Sequence, residues 1–598
     1  MKRIFTLLLV IGILLAMFSG CNSSEAKTGE TATAQTEQTP EVQDRTPSPE
    51  PEKTPEGIPE DPNYNYPKGK YETDADGWPL NSYSYDGPIS LTDEVFTYWT
   101  VCYTPEYIPE GGMGEVDFRK KEQEITGVNL EYIVISIIQR AENFNMLLAA
   151  DDLPDIMNGA SAVYPGTKTE AYESGYYANI LDYREYAPNY FYFIKSHKNS
   201  DKNLYDTIFL NEQLITTFVS FEDEMGFNAV PLAVRGDWLE EFGYTADDIK
   251  TISDIEDFAH ILQTEKDITY PFHVISGNLD LNQVFACFDT FTALSGGGLP
   301  MYPAPSIIDG KVVFSYSNDN AKEWISQINA WLDDGIMTPD FLNMGVYPNT
   351  GDMTIYDGSC GIANGPFDSL VEMEERASDP NARWVVVRRP LLTEEQVLHL
   401  GSPNGYITYG LTEISTKCDN IPLAVSFCDW RYSPEGSFIQ SYGVEGTLWE
   451  YDDNGKVVST EWAIYNPDGA DFIFLQLIYA ANRFIEHGLK ITSSKYMFEG
   501  GERIPADAFM YRNVACDGAY EWPAGVSLSE EEAETFNRIG IDLDTYVSEN
   551  ILLFATREKP MSEWDEYIRT LESIGIHEAQ AAYQSAYDRY LERVAARS

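Results

Sequence analysis

The chain has 598 residues and a formal charge of −56, from 96 acidic against 40 basic side chains. A field of that sign repels phosphate backbones and anionic headgroups, which sets nucleic acid aside as a partner. Hydrophobic residues at 43% and aromatics at 13% supply large cores, and a chain this long divides into lobes because a single core rarely grows past about 250 to 300 residues.

The amino terminus reads as an export signal. Lys2 and Arg3 precede an apolar run from Ile4 to Phe18, too short to span a bilayer comfortably, and Ser19-Gly20 are small residues before a cleavage point. Phe18-Ser19-Gly20-Cys21 resembles the bacterial lipobox. That resemblance implies a diacylglycerol on Cys21 and a mature chain anchored to the outer face of the cell membrane. Residues 21–70 are rich in Thr, Glu and Pro, as in Thr46-Pro47-Ser48-Pro49, and read as a disordered tether that builds no core.

Beyond it strands and helices alternate. Glu94–Trp99 and Val128–Ile135 read as buried strands, with a helix over Val116–Thr126 ended by Gly127 between them. A helix over Gln139–Ala150 leads to a short strand after Pro154 and a turn at Asn158-Gly159. Ser253-Asp254-Ile255-Glu256 reads as a capping box opening a helix striped by Ile255, Phe258, Ile261 and Leu262. Asn320–Asp334 repeats the logic with Trp324, Ile328 and Trp331, and Gly335 as its stop. Phe272–Ile275 and Trp384–Val387 read as further strands.

From Leu528 only helices are predicted: one capped by Ser529 with Glu532, one over Leu543–Phe554, one over Ser562–Ile574, and a last from Glu578. The fold class is α/β, with a C-terminal helical subdomain packed on the second lobe. Cys102, Cys287, Cys360, Cys418, Cys428 and Cys516 lack C-x-x-C spacing and read as small core residues, although export permits a bridge such as Cys418 with Cys428.

Five segments in a fixed order carry a resemblance: Ala149-Ala150-Asp151-Asp152-Leu153-Pro154-Asp155-Ile156, Val234-Arg235-Gly236-Asp237-Trp238-Leu239, Phe427-Cys428-Asp429-Trp430-Arg431-Tyr432-Ser433-Pro434-Glu435-Gly436, Tyr442-Gly443-Val444-Glu445-Gly446 and Trp564-Asp565-Glu566-Tyr567. Following a lipobox, they make residues 71–598 resemble the family 1 extracellular solute-binding proteins, the LipO-like lipoproteins that serve carbohydrate ABC importers. The resemblance implies two lobes of the type II periplasmic-binding fold, hinged around a cleft that closes on a sugar or oligosaccharide. It also implies delivery to permease subunits driven by a separate ATPase, no cofactor, no catalysis, and a monomer. The expected division places 71–228 and about 360–415 in lobe one, 229–359 and about 416–527 in lobe two, and 528–598 in the helical subdomain.

A pyranose needs flat aromatic platforms and side chains that pair with hydroxyls. Trp99 at the end of the first strand, Asn158 after the third, Asp289 between Phe288 and Phe291, Phe367 in Gly365-Pro366-Phe367-Asp368, Tyr406 after Gly405, and Trp449 are the candidates. Trp238, Trp324, Trp331 and Trp564 lie on helical stripes and belong to cores.

Two other functions fit the same composition. A glycan-cleaving enzyme needs only two carboxylates, yet the chain lacks G-x-S-x-G, H-E-x-x-H and a P-loop. A binding protein for a peptide or other non-sugar solute would share the architecture. No metal is assigned: Asp74-Ala75-Asp76-Gly77 and Asp452-Asp453-Asn454-Gly455 are fragments of oxygen-ligand loops without the glutamate at the twelfth position, and the second reads as a hairpin turn.

Overall fold

The computed structural model describes residues 62–597, apart from 166–167, 198–207, 210–212, 222–231, 274–283, 293, 295–302, 344–353, 365–373, 375–376, 402–406, 456, 465, 469, 471, 483–484, 492–513 and 524. In chain order its strands begin with β1 (Val95–Cys102), β2 (Asn129–Ser136), β3 (Ile156–Asn158) and β4 (Thr217–Phe221). Next come β5 (Leu232–Arg235), β6 (Phe272–His273), the hairpin β7 (Pro305–Ile308) and β8 (Lys311–Phe314), β9 (Ile362–Asn364) and β10 (Trp384–Val386). Then follow β11 (Ile407–Ile414), the hairpin β12 (Trp449–Tyr451) and β13 (Val457–Ser459), and β14 (Gly488–Lys490).

Two larger sheets define two lobes. The first is six-stranded, in the order β14-β4-β11-β3-β1-β2, and the second four-stranded, in the order β10-β5-β9-β6. The first opens as the sequence predicts, with β1 and β2 parallel around α1 (Asp117–Thr126), which ends at Gly127 in the left-handed conformation. α2 (Arg140–Ala150) then leads to β3, α3 (Pro188–His197) comes before β4, and Asp155 ties the strands together by accepting from Thr97 N and Oγ1 at 2.8 and 2.7 Å.

The partition of the chain differs from the expected one. β9 and β10 pair with β5, so the region about 360–386 belongs to the second lobe. α6 (Ile421–Trp430) packs its buried face into the first-lobe core, and β14 pairs with β4, so much of 416–490 belongs to the first. Strand pairing decides lobe membership here, and single-strand patterns do not reveal partners.

Local signals fared better than long-range ones. The capping box in front of α4 (Ile252–Glu265) is built by Thr251, two residues before the expected serine: Thr251 Oγ1 accepts from Asp254 N at 3.2 Å, and Asp254 Oδ2 accepts from Thr251 N at 2.8 Å. α5 (Asp319–Asp333) buries Trp324, Ile328 and Trp331 as its stripe predicts. The two helices expected after Ser529 are one, α9 (Glu530–Ala555), because Ile539, Leu543, Val547, Ile551 and Phe554 continue one buried face without a break.

α10 (Trp564–Ile574) and α11 (Ile576–Arg597) complete the C-terminal helices, which pack on the second lobe. Tyr567 Oη donates to the Tyr316 carbonyl at 2.8 Å, Gln584 Oε1 accepts from Val312 N at 2.8 Å, and the Phe314 ring meets Tyr583 at 5.1 Å. Cys418 and Cys428 are buried thiols, and none of the six described cysteines forms a disulfide. No described helix is long and apolar enough to cross a membrane.

Candidate ligand-binding cleft

Sheet topology sets where the candidate cleft lies. In the first sheet β1, β2, β3, β4 and β14 share one direction and β11 opposes them; in the second β6, β9 and β10 share one direction and β5 opposes them. The chain passes from the carboxyl end of β4 to the amino end of β5, returns from the carboxyl end of β10 to the amino end of β11, and leaves the first sheet after β14. The two connections between the sheets, β4 to β5 and β10 to β11, therefore join their carboxyl edges, the edges where ligands of open α/β sheets bind.

On the first lobe, Tyr103 follows β1, Arg140 opens α2 just beyond β2, and Gly159 follows β3. These three positions meet around the side chain of Arg140, a residue only 8% exposed. A Cβ added to Gly159 would lie 3.3 Å from Arg140 Nη1, and Gly159 has φ +82°, so glycine there meets a spatial and a conformational need. Burial lowers the Arg140 pKa while Tyr103 and Glu413 oppose that shift, and arginine keeps its charge in such surroundings. A planar fork of donors thus stands where three strands end, suited to the oxygens of a polar ligand.

The second-lobe edge gathers a different set. α5 runs back toward the start of a bridge between Met337 and Phe272, so its amino end lies at the carboxyl edge. There Asn320 Nδ2 donates to the Asp289 carbonyl at 3.1 Å. Asp289 is half-buried with φ 51°, and burial raises its carboxyl pKa against the pull of His399. His399 Nδ1 lies 2.8 Å from Asp517 Oδ1, which lowers the Asp517 pKa, and its ring sits 4.4 Å from that of Tyr520. Two carboxylates, an imidazole and a phenol thus share one edge.

The other sequence candidates fall elsewhere. Trp99 is a core residue: β1 runs on to Cys102, so the indole lies mid-strand, with Nε1 donating to Asn143 Oδ1 at 2.8 Å and the ring against Phe144. Asn158 is wholly buried, its Nδ2 donating to the Trp99 carbonyl at 3.2 Å and its Oδ1 accepting from Thr412 Oγ1 at 2.7 Å. It locks β3 to β11 and turns no polar atom to the cleft. Trp449 is buried in a hydrophobic core, edge-on to Phe438 at 5.7 Å. Phe367 and Tyr406 lie outside the described residues.

The two acidic loops are turns. Asp74 Oδ1 accepts from Asp76 N and Trp78 N, and Oδ2 takes Lys195 Nζ at 2.6 Å, which fills the carboxylate with protein donors. Asp452 and Gly455 close the β12–β13 hairpin. Among the described residues no group of three or more His, Cys, Asp or Glu is arranged to hold a metal.

Arg140, His399, Asp517 and Tyr520 escaped sequence reasoning. A cationic residue opening a helix directly after a predicted strand was a usable signal for Arg140. His399 and Asp517 are 118 positions apart and left no local trace.

No family model and no curated protein sequence matches the chain. Solved structures do match. An HMO-binding, ABC-transporter-associated solute-binding protein from Bifidobacterium longum infantis superposes with a TM-score of 0.62 at 16% identity, covering 84% of this chain and 99% of that one. The fold is that of the two-lobed solute-binding proteins, with a C-terminal helical region. The S. pneumoniae ABC-transporter substrate-binding protein FusA, solved with fructo-nystose, gives 0.56 at 18% identity over 84% of this chain and 100% of that one. The alginate-binding protein AlgQ2 gives 0.57 at 17% identity over 83% and 99%. The likeness is one of fold, and at such identity their ligands remain their own.

Proposed function

We propose that this is a lipid-anchored extracellular solute-binding protein, held through Cys21, which captures an oligosaccharide between its lobes and delivers it to the permease of an ABC importer. The observation that carries the reading is the joining of two carboxyl edges by the β4–β5 and β10–β11 connections, with Arg140 on one edge and Asp289, His399, Asp517 and Tyr520 on the other. These groups donate to and accept from hydroxyls, as an uncharged polyol requires. A ligand touching both edges favours the closed arrangement by the contacts it makes only there, and a permease that reads closure then couples capture to transport. The fold's likeness to sugar-binding transport proteins supports the same reading. The proposed role is capture without turnover, in keeping with the transport proteins whose fold this chain shares.

Two experiments test the proposal. Thermal shift across a glycan panel, with products analysed from the same wells, should show a raised melting temperature for a glycan that is recovered intact. Replacing Cys21 with alanine should move the protein out of the membrane fraction. A cleaved glycan would make the protein an enzyme, and a Cys21→Ala variant that stays with the membrane would remove the lipid.

A further inference from the structure

Trp462 is the one tryptophan of eleven that stands exposed, at 37%. Its setting fixes it there. Thr460 Oγ1 donates to the Thr447 carbonyl at 2.7 Å and accepts from Ala463 N at 3.2 Å, which pins the short helix Glu461–Ile464. Ala463 is buried, so the next side chain back is directed outward. The Trp462 indole meets the Tyr479 ring at 5.2 Å and 80°, an edge-to-face contact that holds its orientation.

Tyr479 ends α8 (Phe472–Tyr479) and is half-buried. It packs against a small first-lobe cluster that includes Cys102, Met113 and Phe118, and Tyr107, just beyond β1, packs against the same cluster. Asp117 opens α1, which starts at the carboxyl edge of β1, and its Oδ2 accepts from Thr447 Oγ1 at 3.4 Å. Burial, then the charges of Asp117 and Asp468, raise the Tyr479 hydroxyl pKa, so both carboxylates lie near that ring. An aromatic ledge with an acidic rim therefore stands at the carboxyl edge of the first sheet, beside the end of β1.

We infer that Trp462 and Tyr479, with Tyr107 beside them and Asp117 on the rim, form a subsite that stacks on the apolar face of a neutral pyranose unit. The inference rests on the sugar-capture reading above and narrows it. Indole and phenol faces complement the C–H face of a pyranose, and a carboxylate rim accepts from its equatorial hydroxyls. The same rim repels a uronate or sialate, so the class selected here is the uncharged glycan.

The test uses the full chain in detergent and its W462A and W462F variants. The probes are malto-, cello-, manno- and xylotetraose, nystose, lacto-N-tetraose and, as the anionic member, tetragalacturonate. A neutral probe should raise the melting temperature of the wild type and shield Trp462 from acrylamide, abolishing the difference in quenching between wild type and W462F. Its affinity should fall tenfold or more in W462A and less in W462F, which keeps an aromatic face. A neutral probe that binds W462A undiminished, leaving Trp462 quenchable, would overturn the subsite while sugar capture stands. Binding of tetragalacturonate alone would overturn the neutral class, and binding of none would sink both readings.

Discussion

Arg431 meets Glu122 through two hydrogen bonds, Nε to Oε1 at 2.6 Å and Nη2 to Oε2 at 2.9 Å, with both side chains enclosed in the first lobe. Glu486 joins them, accepting from Arg431 Nη1 at 3.1 Å and from Arg119 Nη1 at 2.9 Å. Burial alone would raise the Glu486 carboxyl, but the charges of Arg119 and Arg431 hold it down to about 2. Removing one partner strands a buried charge. Arg431→Met should therefore cost about 3–5 kcal/mol in urea unfolding of the first lobe. A loss below about 1 kcal/mol would show that the network contributes little.

Asp429 sets a pH dependence of opposite sign. Burial pushes its carboxyl up to about 7, against hydrogen bonds from Tyr190 N at 2.8 Å, Tyr85 Oη at 2.8 Å and Asn189 Nδ2 at 2.9 Å. When Asp429 is protonated, Oδ2–H can donate to Tyr85, whose hydroxyl then donates to the Ser426 carbonyl at 3.3 Å. The folded state holds that proton between the unfolded pKa near 3.9 and about 7, so this contribution to stability falls as pH rises through that window. Unfolding free energies at pH 5 and pH 7.5 should differ less in Asp429→Asn than in the wild type. Equal slopes in both proteins would remove Asp429 as the source.

Gly159 and Arg140 test the first-lobe edge. Alanine at 159 must adopt a left-handed backbone, at about 1–2 kcal/mol, and its methyl crowds the guanidinium. Arg140→Gln removes the charge but keeps an amide donor. Both should weaken glycan binding, with Arg140→Gln losing about tenfold if the fork makes one charged hydrogen bond to the ligand. Unchanged affinity in both would place the ligand away from this edge.

The C-terminal helices are part of the second-lobe core. Trp564 is buried, with its ring 5.3 Å from Phe554 and 5.0 Å from Tyr567. Trp564→Ala should cost about 3–5 kcal/mol, seen as a lower urea midpoint for the second lobe. A midpoint equal to the wild type would mean that these helices fold apart from the lobe.

How much the sequence revealed depends on the range of the interaction. Helix stripes and caps are local, and α1, α2, α5 and α10 fall within a few residues of their expected places. The segment from Phe427 to Gly436 was legible as a family resemblance but not as physics. Asp429 and Arg431 are buried hubs, Ser433 caps α7 (Pro434–Tyr442) by accepting from Gly436 N at 3.1 Å, and a Cβ on Gly436 would strike the Trp430 carbonyl. These residues identify the fold because they build it, and they say nothing about the ligand. Trp99 misled because the strand end was set three residues early, and a tryptophan moved from edge to mid-strand changes from platform to core. Lobe membership and the His399–Asp517 pair arise from contacts far apart in sequence, which no local pattern encodes.

The most direct measurement is equilibrium titration of the full chain in detergent with the glycan that most raises its melting temperature, followed by chromatography of the recovered ligand. The account predicts one site per chain, a dissociation constant of about micromolar or tighter, and a glycan recovered whole. Saturable binding of a peptide with no glycan response, or a glycan returned in pieces, would contradict it.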